Sequence, residues 1–335
     1  MRPRQLFILL SMLLCAISLR AEDVPWSITP SSGPTTGGTQ VTIKGNFGFW
    51  PYGLILGGTG ATATRVDEHT LIAVTPPHPA GTVDVAVFEY DIGISTDLKF
   101  TYTASANDPF ERVLLPIFTP PAKGLFGSEF HSELHVWNSL DLHDITLFGV
   151  EYSYGSADDP VTRLREKSDA ILGRSAENYS GNPARFVFIR RGDFDQLGAH
   201  LRVFDVTRNA ESFGTEIPIV REREFDAAAR IAFPAVPVDP RFRTTLRIYA
   251  LAATTVRVTV GDQVFDVPVL AGRNIYEPAY AVLSNFPSGG TGAINVTIDP
   301  PTLTLSPVTY GPPIWALLTI TNNDTQQITT MSPQR

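Results

Sequence analysis

ITPSSGPTTGGTQVTIKGNF, residues 28–47, decides how the chain is read. Pro30, Gly33 and Pro34 punctuate its first part, Gly37 and Gly38 permit a turn that needs positive φ, and TQVTIKG alternates as a half-buried strand does. The same grammar continues outward in GLIL, ATRVD, TLIAVT, TVDVAVF and LKFTYT, separated by GG, DE, PPHPAG and YDIGIS. Short alternating strands at regular spacing, joined by turn residues, predict a β-sandwich.

The pattern I-x-P-x-x-G-P-x-x-G-G-T-x-V-T-I-x-G-x-F fits Ile28 through Phe47 at every fixed position. Gly57 and Gly58, Thr75 to Pro77, and Phe100 with Tyr102 extend it. On these residues, over about 25–103, the segment resembles the IPT/TIG family of immunoglobulin-like domains, in a secreted bacterial type. The resemblance implies an immunoglobulin-like sandwich that is seldom catalytic and serves as a spacer or interaction module in surface and extracellular proteins. The insertion FGFWPYG, residues 47–53, is richer in aromatics than that pattern requires. Phe49, Trp50 and Tyr52 are a candidate stacking platform for sugar rings or a partner's apolar surface. The competing expectation is that they pack over the open end of the sandwich.

Residues 1–21, MRPRQLFILLSMLLCAISLRA, have the basic, apolar and small-residue zones of an export signal, and the apolar run is too short to span a bilayer. Cleavage is expected after Ser18 or Ala21. It would remove Cys15, the sole cysteine, which excludes disulfides, thiol catalysis and Cys-ligated zinc from the mature chain. Cleavage after Ala21 would also leave 23 basic against 34 acidic side chains, a net charge of −11 that repels phosphate backbones, so nucleic acid is an improbable partner. No later segment reads as a membrane span.

Beyond residue 107 the prolines and glycines fall in clusters between short runs rich in Val, Ile, Thr and Phe, the mark of many strands. Only VTRLREKSDAILG, residues 161–173, has a helical period, with Leu164, Ile171 and Leu172 on its apolar side. A pattern beginning at Arg112 (RVLLPIF, then FHSELHVWN) returns at Arg230 (RIAFPAV, then FRTTLRIYA), pairing Pro116 with Pro234 and Phe130 with Phe242. Residues 200–218 echo 315–333 in the same way. Two related sandwich units are expected, 108–222 and 226–335, similar to paired β-rich modules of secreted bacterial proteins.

As a strand, residues 130–137 put His131, Glu133 and His135 on one side, a spacing able to offer zinc two imidazoles and a carboxylate, with His143 or Asp141 to complete the set. The repeat argues for a solvated face instead, because Arg243, Thr245 and Arg247 occupy the aligned positions. Hydrolase, zincin and nucleotide-loop motifs do not occur. Asp158 with Asp159, and Asp193 with Asp195, sit in glycine-containing turns where aspartate is ordinary. The Arg191-Gly192-Asp193 tripeptide and the acceptor patterns at Asn178, Asn295 and Asn323 specify little by themselves.

These readings converge on a secreted, non-enzymatic all-β protein: signal peptide 1–21, an IPT/TIG sandwich at 25–104, then two related sandwich units. It needs no cofactor, has no membrane span in its mature chain, and meets a protein or glycan partner outside the cell or in its envelope. The alternative is a carbohydrate-binding protein using Phe49, Trp50 and Tyr52, with Trp137 and Trp315 read as core. A third reading is a metal-dependent hydrolase on His131, Glu133 and His135.

Overall fold

The computed structural model describes residues 24–49, 52–89, 92–94, 97–104, 108–141, 143–150, 161–174, 181–208, 213–284, 286, 292–305 and 308–334. The expected signal, Trp50, the Asp158–Asp159 pair and the acceptor pattern at Asn178 lie outside them. Among the described residues there is no α-helix; strands are joined by turns and short 3-10 segments. The chain forms two compact units that part near residue 102, with residues 78–81 belonging to the second.

In the first unit the strands are β1 (Ser27–Thr29), β2 (Ser32–Pro34), β3 (Gln40–Lys44), β4 (Tyr52–Leu56), β5 (Thr59–Asp67), β6 (Thr70–Val74), β7 (Gly81–Glu89), β8 (Ile92–Ile94) and β9 (Lys99–Thr103). They pair in the order β1-β3-β6-β5-β4-β7-β9-β2, with β8 on β7. Alternation sets the faces: Val41 and Ile43 of β3 are buried while Gln40 and Lys44 point out. Leu54, Leu56, Leu71, Val85, Val87, Phe100 and Tyr102 complete the core.

The separated motif residues prove to be one junction. Gly37 and Gly38 turn at φ +71° and +81°, the Gly38 amide donates to the Thr75 carbonyl at 2.8 Å, and the Thr39 amide donates to Thr75 Oγ1 at 3.1 Å. A Cβ on Gly37 would lie 2.6 Å from the Pro76 backbone, so the turn docks where only glycine fits. On the same segment, the Tyr102 hydroxyl donates to the Pro76 carbonyl at 3.0 Å; burial pushes that phenol up.

The second unit contains two pairs of sheets. The first pair uses β10 (Phe110–Leu115), β11 (Ala122–Lys123), β12 (Glu129–Asn138), β13 (Ile145–Phe148), β14 (Val161–Leu164), β15 (Asp169–Leu172), β16 (Arg185–Arg190), β17 (Leu197–Asp205), β18 (Thr215–Ile217) and β19 (Val220–Arg221). Their orders are β14-β13-β16-β10-β19 and β11-β12-β17-β18, with β15 on β12. After these come β20 (Ile231–Pro237), β21 (Phe242–Ala250), β22 (Thr254–Val260), β23 (Gln263–Val269), β24 (Ala279–Leu283), β25 (Ala293–Ile298), the separate pair β26 (Thr302–Leu305) and β27 (Val308–Tyr310), then β28 (Ile314–Asn322) and β29 (Ile328–Met331). Here the orders are β23-β22-β25-β20 and β24-β21-β28-β29.

Register shows that both pairs follow one plan. Leu134 lies opposite Leu201 on one neighbouring strand and Leu172 on the other, as Leu246 lies opposite Leu318 and Leu283. Leu201 thus corresponds to Leu318, whereas end-to-end matching of 200–218 with 315–333 would give Ala316. A slip of two leaves every side chain on its own face, which is why the echo was readable without the register. The two halves also share a core: Tyr249, Trp315 and Leu317, carried by β21 and β28, belong to the apolar cluster of the first half. The Tyr249 hydroxyl, fully buried, donates to the Pro116 carbonyl at 2.7 Å.

Two expectations are corrected here. Residues 161–173 form β14, a turn and β15 rather than a helix, each strand in a different sheet. Leu164 and Leu172 face the core from those two sheets while Ile171 is exposed, so their helix-like spacing comes from two inward faces. Trp137, expected in the core beside Trp315, is 54% exposed, against 4% for Trp315. Alternation from buried Leu134 and Val136 puts Trp137 on the outer face.

Candidate functional site

The aromatic insertion divides between inside and outside. Phe47 and Tyr52 are buried and meet edge-on, ring centroids 5.3 Å apart, and Trp26 meets Phe47 similarly at 5.4 Å. Tyr52 is 6% exposed, and its hydroxyl donates to Glu89 Oε1 at 2.9 Å. Burial, then the Glu89 bond, raises its pKa. As the first residue of β4 it alternates inward with Leu54 and Leu56, so it anchors the loop from below and offers no ring to a ligand. Phe49 is 94% exposed, with the Arg65 guanidinium 5.2 Å from its ring centroid. An exposed phenyl ring backed by a cation is equipped for stacking or apolar contact with a partner.

His131, Glu133 and His135 do share the outer face of β12. Each imidazole Nε2 faces a different oxygen of Glu133, His131 at 3.4 Å from Oε1 and His135 at 3.1 Å from Oε2. Among the described residues no group of three His, Cys, Asp or Glu side chains has the geometry to hold a metal ion. The proposed completing residues point elsewhere: Asp141 pairs with Lys167 at 2.6 Å and His143 with Asp193 at 3.4 Å. Asp195 pairs with Arg221, which also grips Glu111 through Nε at 3.0 Å and Nη2 at 2.6 Å. Of the aspartates in the Arg191–Asp195 turn, Asp195 is therefore held in an ion pair and Asp193 lies against the His143 imidazole.

The structure adds what alignment of strand faces did not reveal. Arg243, Thr245 and Arg247, the counterparts of the histidine face, do not stand over open solvent; they line a groove of about 440 Å³ together with Thr319, Thr321, Tyr280 and Phe130. No local signal marks this, because one wall comes from β12 and its preceding loop, more than a hundred residues away.

The model of the IPT/TIG domain family matches residues 26–102. The protein is thus an all-β chain carrying an IPT/TIG immunoglobulin-like domain, a class of module associated with interaction and adhesion. Fibrocystin-L of Homo sapiens is 33% identical over 112 residues, which are 32% of this chain and 3% of that protein. Among solved structures, the full extracellular region of plexin A4 aligns over 80% of this chain and 21% of its own, at 14% identity and a TM-score of 0.23. An auxiliary nutrient binding protein from Bacteroides thetaiotaomicron aligns over 94% and 70%, at 11% identity and 0.21. TM-scores this low do not establish a shared arrangement. No helix among the described residues is long and apolar enough to cross a membrane.

Proposed function

We propose that the protein is a secreted, non-enzymatic β-sandwich protein acting as an extracellular structural, adhesion or interaction module. In this reading residues 1–21 are removed on export, residues 25–104 are the IPT/TIG module, and residues 108–222 and 226–335 are related sandwich units that carry it. The IPT/TIG match supports an interaction role, and the observation that carries it to a place is Phe49, displayed on the loop between β3 and β4 with Arg65 behind it. The exposed ring equally favours a carbohydrate-binding form of the reading, in which Phe49 and Trp50 stack on a sugar and Tyr52 holds the loop.

The test is adhesion of beads coated with the protein to intact cells of the producing organism, and to a glycan panel, with Phe49→Ala/Trp50→Ala beside the wild type. Adhesion that falls severalfold at unchanged melting temperature is the expected result. Adhesion indifferent to the double substitution, or absent, overturns the assignment of the loop. Glycan binding lost in the variant selects the carbohydrate form.

A further inference from the structure

The groove over β21 and β28 differs from the rest of this acidic molecule. Its walls are the outer faces of these two strands on one side, and Leu125 and Phe130 of the β11–β12 hairpin on the other. Among the described residues no carboxylate lines it, whereas two guanidinium groups do.

Both arginines are held by neutral groups. Arg243 donates to Asn323 Oδ1 at 2.9 Å and to Gln326 Oε1 at 2.6 Å, and lies 5.9 Å from the ring centroid of Phe126. Burial lowers its pKa, with no carboxylate to offset the cost. Arg247 donates through Nη1 to Thr319 Oγ1 at 2.8 Å, and its Nε is buried without a hydrogen-bond partner. Neither forms an ion pair among the described residues, although surplus acid is plentiful in this chain. Partly desolvated cations left unpaired are costly unless a ligand supplies the anion.

The remaining lining narrows the ligand. Thr245, Thr319 and Thr321 place hydroxyls between and beside the arginines, and Tyr280 adds an aromatic wall. The ligand would meet a sheet face presenting side chains, not a free strand edge, so recognition does not run through peptide backbone pairing. Arg243 and Arg247 are four residues apart on one strand face, about 13 Å along it, a span suited to successive charges of an extended chain.

We propose that this groove binds a segment of acidic polysaccharide, with carboxylate or sulfate groups on Arg243 and Arg247 and sugar hydroxyls on the threonines. This is a second site, in the C-terminal unit, and does not depend on the Phe49 loop.

Native affinity electrophoresis of the full chain through gels containing polygalacturonate, dextran sulfate, neutral dextran or polyglutamate tests it. The expected result is retardation by polygalacturonate or dextran sulfate, whichever anion the groove prefers, and none by dextran. Arg243→Gln/Arg247→Gln weakens that retardation at least tenfold, and Phe49→Ala leaves it unchanged. Val282→Glu, at a half-exposed lining position, puts a carboxylate in the groove and has the same effect, which decides the matter if the arginine variant fails to fold. The proposal is overturned by no retardation in either acidic polysaccharide, by retardation that survives Val282→Glu, or by equal retardation in polyglutamate, which would point to an acidic protein instead.

Discussion

Replacing Trp315 with alanine should destabilise both halves of the second unit together. Trp315 is carried by β28 of the second half, yet it is buried in the core of the first and stacks on Tyr249 at 5.9 Å between centroids. Loss of a buried Trp side chain costs about 3–5 kcal/mol through lost transfer energy and the cavity left behind. For a unit of this size that is roughly 2–4 °C per kcal/mol, or a fall of about 8–16 °C for a central value near 4 kcal/mol. Differential scanning calorimetry of wild type and Trp315→Ala reads it directly, with Trp137→Ala as control. Trp137 is half exposed, so its loss should stay within about 0.5 kcal/mol. If Trp315→Ala moves the melting temperature by less than about 2 °C, or splits off one transition while another stays put, the shared core does not couple the halves.

The two glycines of the IPT/TIG turn should respond unequally. Gly38→Ala meets nothing within 4 Å and costs about 1–2 kcal/mol for its positive φ, whereas Gly37→Ala adds a clash with the Pro76 backbone and should cost clearly more in urea unfolding. Equal costs would show that the turn is not seated on Pro76. Glu222 supplies a pH prediction: burial alone would raise its carboxyl, but the hydrogen bond and charge of Arg112, at 2.7 Å, hold it below the ordinary 4.5. A depressed folded-state pKa means its stabilisation is present above 4.5 and is lost as pH falls through the lower folded value. Melting temperature between pH 6 and 3 should therefore drop less steeply in Glu222→Gln than in wild type; parallel curves would dismiss the pair.

Much of the fold was legible because strands advertise themselves through period-two alternation and turn residues. Val41, Ile43, Phe100 and Tyr102 are buried as the spacing required, and Gly37 and Gly38 adopt the positive φ anticipated for them. The candidate site was less legible. Phe49 and Tyr52, read as one platform, are separated by the strand start at Tyr52, which turns its ring inward.

By itself, then, the sequence determined the all-β class, the IPT/TIG segment, the repeat and the inward faces of its strands, since each is a local property of spacing and side-chain chemistry. Only the tertiary structure decided that Leu164 and Leu172 serve different sheets, that Trp315 completes a core built mainly by the preceding half, and that Arg243 and Arg247 lie in a groove. Those outcomes depend on which distant strand packs against a given face, and alternation specifies a face without naming what will cover it.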